Sequence, residues 1–141
     1  MGRTKLLTQL IDGFQDVQRA VLRHKESQTE GLPFGQKAVL AVIATRHQTN
    51  IKEISNVLQI TSGAATQHVE ALVQESLVTR STNQSDRRNV VIALTDEGQK
   101  VFADMQQKRM EKVRAYFAEI SDEDLETFVN VIHKVKERIH Q

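Results

Sequence analysis

Apolar residues recur along the first segment at Leu7, Leu10, Phe14, Val17 and Val21. Alternating steps of three and four put them on one narrow stripe of a helix over residues 3–25, the spacing with which helices pack lengthwise. The last segment repeats the rhythm at Leu125, Phe128, Ile132, Val135 and Ile139. Ser121 supplies an oxygen-bearing cap for it, and Asp122, Glu123 and Asp124 face the positive end of the helix dipole. Narrow stripes at the two ends of a small chain predict terminal helices that pack together, with a second copy of the chain completing the bundle.

The middle of the chain reads differently. After a loop over residues 26–32, Pro33 takes an early helical position. The helix that follows is apolar on nearly every side from Ala38 to Ala44 and is expected to be buried. Asn50 caps a short helix that turns Ile51, Ile54, Val57 and Leu58 inward. Gln59, Ile60 and Thr61 form a tight turn, and Thr61 caps a second short helix over residues 61–74. At 100° per residue Ala65, Val69 and Leu72 share one side of that helix. Gly63, Thr66, Gln67, Glu70 and Gln74 share the other. Two short helices joined by three or four residues have helix-turn-helix geometry. A face of amides, hydroxyl and glycine lets the second helix approach a hydrogen-bonding surface such as a DNA major groove.

Two runs rich in β-branched residues come next, at 77–82 and 89–94. The turn between them, residues 83–88, ends in Arg87 and Arg88. A polar-faced helix followed by a hairpin with arginines at its tip is the plan of a winged helix-turn-helix. Helix 61–74 would read the major groove, with Ser62, Gly63, Thr66 and Gln67 at base edges. The wing, residues 79–92, would carry its arginines to phosphates or the adjacent minor groove. Thr95, Asp96, Glu97 and Gly98 close the hairpin and open a long helix expected over residues 96–120. Its apolar residues thin out between 106 and 112, as in a helix that bridges two bodies. The expected fold is mainly α with one β-hairpin. A single domain spans 1–141, with a DNA-binding part at 33–95 and a helical dimerisation part at 3–28 and 96–141.

Composition narrows the class without naming it. The 141 residues include 39% apolar and only 4% aromatic side chains, with a single proline, which suits one mostly helical domain. The net charge is +1, from 19 basic and 18 acidic residues, so any case for nucleic acid must be local. Between Pro33 and Thr95 six basic residues face four acidic ones, a balance of +2, and the remainder of the chain carries −1. The chain has no cysteine, which excludes disulfides, a thiol redox sensor and a thiolate zinc site. The longest apolar run, residues 38–44, is far short of the roughly 20 residues of a membrane span. The first residues lead directly into an amphipathic helix with no signal-peptide core, so a cytoplasmic protein without a membrane partner is expected.

With these residues in place the chain resembles the MarR family of bacterial transcriptional regulators over essentially its whole length. The resemblance rests on the helix-turn-helix, on Leu77 and Val78 with Arg80, on Asp86-Arg87-Arg88, and on Leu94-Thr95-Asp96-Glu97-Gly98. An Asp-Arg-Arg wing followed closely by Leu-Thr-x-x-Gly is a specific combination. The resemblance implies a homodimer whose terminal helices form the interface, with each subunit offering one winged helix to half of a pseudo-palindromic operator in double-stranded DNA. It further implies repression relieved by a small, often phenolic, effector bound between the dimer helices and the winged helix. One wing arginine, Arg87 or Arg88, would enter the minor groove, oriented by Asp86. The chain departs from the family at two places. Gln67 stands where many members have arginine, which shifts the expected preference from guanine toward adenine. Ser76 stands where many have the glycine that ends the recognition helix, although serine is poorer in the left-handed conformation.

Other readings compete at several positions. Arginines at a hairpin tip are often no more than solvated charges, and Lys37 and Lys52 are read that way. Zinc-sensing relatives direct attention to His24, His47, His68, His133 and His140, but no two have ligand spacing and no metal or other cofactor is expected. Phe14, Phe34 and Tyr116 would line an effector pocket or, more ordinarily, fill the core. No serine, histidine or aspartate sits in a nucleophile-elbow or phosphate-loop context, so an enzyme is not expected. The alternative from another class is a helical dimeric protein-interaction module with a repurposed winged helix.

Overall fold

A computed structural model describes residues 1–26, 31–83 and 86–140, with the side chains of residues 22, 24–26, 83 and 86–89 outside that description. The described residues form six helices and one antiparallel hairpin, the mainly helical fold the sequence predicts. They are α1 (Arg3–Glu26), α2 (Phe34–Arg46), α3 (Ile51–Leu58), α4 (Ser62–Gln74), β1 (Val78–Asn83), β2 (Asp86–Leu94), α5 (Asp96–Tyr116) and α6 (Asp122–Ile139). The chain divides into two compact units, Met1–Gly98 and Gln99–Gln141. No helix among the described residues is long and apolar enough to cross a membrane.

The core lies in the first unit, where α2, α3, α4 and the hairpin pack on one another. Leu40, Ile43, Ile54, Leu72, Ile92, Val39 and Val69 are its largest fully buried side chains, each stabilising the fold by about 1.5–3 kcal/mol through removal from water. Helix α2 is buried along Val39, Leu40, Val42 and Ile43, as its unbroken apolar run requires. Pro33 differs slightly from expectation. It sits in extended geometry at ψ 150 as the cap, and its carbonyl accepts the first helical bond from Lys37 N at 3.0 Å. Val57, expected inward, is exposed, because two turns of α3 packed mainly on α2 and α4 leave one apolar position at the rim.

In the second unit α5 ends at Tyr116, four residues earlier than expected. Ser121 adopts extended geometry at ψ 152 so that its hydroxyl accepts from Asp124 N at 3.1 Å. The preceding residues tighten into a turn, with Ile120 N donating to Phe117 O at 3.0 Å, instead of continuing the helix. The stripe of α6 is largely uncovered, as is that of α1. Phe14 is 62% exposed and Ile139 is 75% exposed.

Candidate nucleic-acid interface

The helix-turn-helix is built from local hydrogen bonds. Asn50 Oδ1 accepts from Glu53 N at 2.9 Å and starts α3. The helix stops at Gln59, which takes the left-handed conformation at φ 53 and ψ 46. Ile60 N then bonds back to Ser55 O at 3.1 Å, and Gln59 Nε2 donates to Asn56 O at 2.7 Å, so two carbonyls of the helix end are satisfied. Two residues later Thr61 Oγ1 accepts from Ala64 N at 3.1 Å and starts α4.

Helix α4 presents the two faces its sequence predicts. Ala65, Val69 and Leu72 are fully buried. Ser62, Gly63, Gln67 and Glu70 are exposed and Thr66 is half-buried. A Cβ on Gly63 would meet only Thr61 Oγ1, at 4.0 Å, so the fold itself does not require a small residue there. Its smallness leaves room for an approaching surface. His68 lies against α2, where a Cβ on Gly35 would come within 2.6 Å of His68 Nε2. The imidazole thus belongs to the seam between α2 and α4, a boundary position.

Ser76 ends α4 in the left-handed conformation, at φ 61, despite not being glycine. Its N–H donates to Val73 O at 3.0 Å and its carbonyl accepts the Thr95 hydroxyl at 2.6 Å. The turn geometry in question at the sequence level is therefore kept, held by a side chain from the far end of the hairpin.

The hairpin pairs Val78 with Leu94, Thr79 with Ala93, Arg80 with Ile92, Ser81 with Val91 and Thr82 with Val90. The register then shifts, so that Asn83 pairs with Asp86 and the ladder steps past residues 87–89. Asp86, Arg87 and Arg88, expected in the turn, are counted in β2 because of that last pair. Their side chains, and so the expected orientation of a wing arginine by Asp86, lie outside the described residues, as do residues 84 and 85 of the turn. Arg80, the remaining candidate, is ion-paired, its Nη1 standing 3.5 Å from Glu70 Oε1.

Thr49 is a structural tie beneath this surface that pattern reading misses. Its N–H donates to Ile92 O at 3.0 Å and its carbonyl accepts from Ile92 N at 2.8 Å, a one-residue bridge that fastens the start of α3 to the middle of the wing. The buried Thr49 hydroxyl donates to Glu53 Oε2 at 2.8 Å, and Arg46 Nη1 lies 3.8 Å from the same oxygen. A single bridging residue has no periodicity, so only its β-branched side chain hinted at the role.

The other candidates separate. Lys52 is exposed and Lys37 half-buried. His24 has its side chain outside the described residues, and His47 is exposed. Among the described residues no group of three or more metal-ligating side chains comes together. Phe14, Phe34 and Tyr116, read as core by default, are instead all exposed on the single chain.

Residues 34–90 match the model of the MarR family. The chain is 29% identical over 112 residues to the HTH-type transcriptional repressor MdtR of Bacillus subtilis, covering 79% of this chain and 71% of the relative. A MarR family protein from Bacillus stearothermophilus superposes with a TM-score of 0.86 over 100% of both chains, at 15% identity. Staphylococcus aureus MarR in complex with salicylate and kanamycin superposes with a TM-score of 0.81 at 23% identity, over 96% of this chain and 93% of that one.

Proposed function

We propose, from the match of residues 34–90 to the MarR family, that this chain is a homodimeric, sequence-specific DNA-binding repressor of that family, released by a small-molecule effector. The observation that carries the reading is the outward face of α4, where Ser62, Gly63 and Gln67 are exposed on a helix whose opposite face is fully buried. In this reading Ser62, Gly63, Thr66 and Gln67 meet base edges, with Gln67 able to pair bidentately with adenine. Arg87 or Arg88 reaches the minor groove with Asp86 beside it, and Arg80 serves the same surface. Residues 33–95 form the DNA-binding part, and residues 3–28 and 96–141 form the dimerisation part.

The exposed stripes of α1 and α6 support the dimer. They include Leu10, Phe14 and Val17 on α1 and Ile132, Val135 and Ile139 on α6, each stripe a row of large apolar side chains left in water on the single chain. The complex of S. aureus MarR with salicylate supports an aromatic acid as the effector class. An effector would act by changing the separation of the two recognition helices, which must match about 34 Å of duplex.

The test is a titration of purified protein against duplex DNA from upstream of its own gene, beside a scrambled duplex, at roughly 0.15 M salt. Preference of about a thousandfold for the native duplex supports the regulator. No binding to either duplex, even at low salt, refutes it in favour of a protein-interaction module.

A further inference from the structure

Glu70 and Arg80 meet at the corner between recognition helix and wing, with Arg80 Nη1 3.5 Å from Glu70 Oε1. Glu70 shares the outward face of α4 with Gly63, Thr66 and Gln67, and Arg80 projects from β1. The pair is partly solvated, its side chains 34% and 59% exposed for Arg80 and Glu70, and an ion pair of that kind contributes little to stability. Its placement matters more. A bare carboxylate on a groove-facing helix would repel phosphates, whereas one neutralised by Arg80 does not. The guanidinium carries five N–H donors in a planar fork, so a contact through Nη1 leaves others for a second anion.

We infer that Glu70 is a positioning residue for Arg80, holding the guanidinium at the helix–wing corner so that a DNA phosphate meets an arginine already in place. The inference rests on the DNA-binding reading and adds a residue to it. A free arginine gives up much of its rotamer freedom on binding, and Glu70 removes that loss in advance. The consequence runs against simple charge counting. Deleting an acid beside DNA should strengthen binding by electrostatics alone, but here it weakens it.

The experiment compares wild type, Glu70→Ala, Arg80→Ala and the double variant. The probe is the tightest duplex that wild type recovers from a randomised pool, with its scrambled form as control. Glu70→Ala is expected to bind that duplex about tenfold more weakly, the scale of ordering one arginine side chain. Arg80→Ala should lower the salt-dependence slope by about one, as for one lost phosphate contact. The double variant should bind no more weakly than Arg80→Ala alone. Glu70→Gln, which keeps an acceptor, should recover part of the affinity. Melting temperatures should agree within about 4 °C, since the pair is a surface one. Equal or tighter binding by Glu70→Ala, losses that simply add, or a large fall in melting temperature would each overturn the inference and leave the regulator standing. Failure of wild type to select any duplex would overturn both.

Discussion

Gly98 sits against the backbone of Leu77 so closely that a Cβ at position 98 would overlap the Leu77 carbonyl oxygen and lie 3.0 Å from its carbon. The same carbonyl accepts from Thr95 N at 3.0 Å, and Thr95 Oγ1 accepts from Gly98 N at 2.9 Å while donating to Ser76 O. The Leu-Thr-x-x-Gly motif is thus a clasp. Its threonine caps α5 and pins the end of α4, and its glycine lets the helix start rest on the backbone of Leu77, just before β1.

Gly98→Ala must displace backbone and not merely a flexible side chain. The expected cost is about 1–3 kcal/mol, as for other overpacked sites, read as a lower urea midpoint at unchanged slope. An unaltered midpoint would mean that α5 can lift from Leu77 freely.

Ser76→Gly should act in the opposite direction. A serine at φ 61 is in the left-handed region that glycine occupies without a Cβ penalty. Relief of about 1 kcal/mol is expected, seen as a higher melting temperature. A lower one would show that the Ser76 side chain contributes more than its backbone conformation costs.

At the proposed DNA surface, Arg88→Ala should weaken operator binding by roughly 1–3 kcal/mol. Gln67→Ala should instead flatten the preference among operator variants at one base pair while leaving the salt slope unchanged. Competition titrations with single-base variants separate the two. Loss of salt slope in Gln67→Ala would reassign that residue to the phosphates.

Phe14→Asp and Val135→Asp place a charge in each exposed stripe. Sedimentation velocity at micromolar concentration should show a dimer for wild type and a monomer for both variants, because a charge buried at an interface without a partner is strongly unfavourable. A monomeric wild type would remove the dimer from the proposed function.

Much of the fold is legible without coordinates because the interactions that set it are short-range. Asn50, Thr61 and Ser121 each accept from the N–H three residues ahead, so a cap and its partner lie within one reading window. The burial of α2 follows from its unbroken apolar run, and the buried face of α4 follows from periodicity, since it is a stripe on a single helix. The polar face of α4 was readable for that reason too.

What the tertiary structure alone decides involves partners far apart along the chain. Thr49 bridges to Ile92, Glu70 pairs with Arg80, and the Thr95 hydroxyl holds Ser76 in a conformation that serine does not favour. None of these contacts has a period, and even the motif that contains Thr95 does not name Ser76 as its partner. The exposure of Val57 and of Phe14, Phe34 and Tyr116 belongs with them, because burial depends on which elements pack nearby and not on how apolar a residue is. Local hydrogen bonding and helical periodicity are written into neighbouring residues; burial and long-range pairing exist only once the chain has folded back on itself.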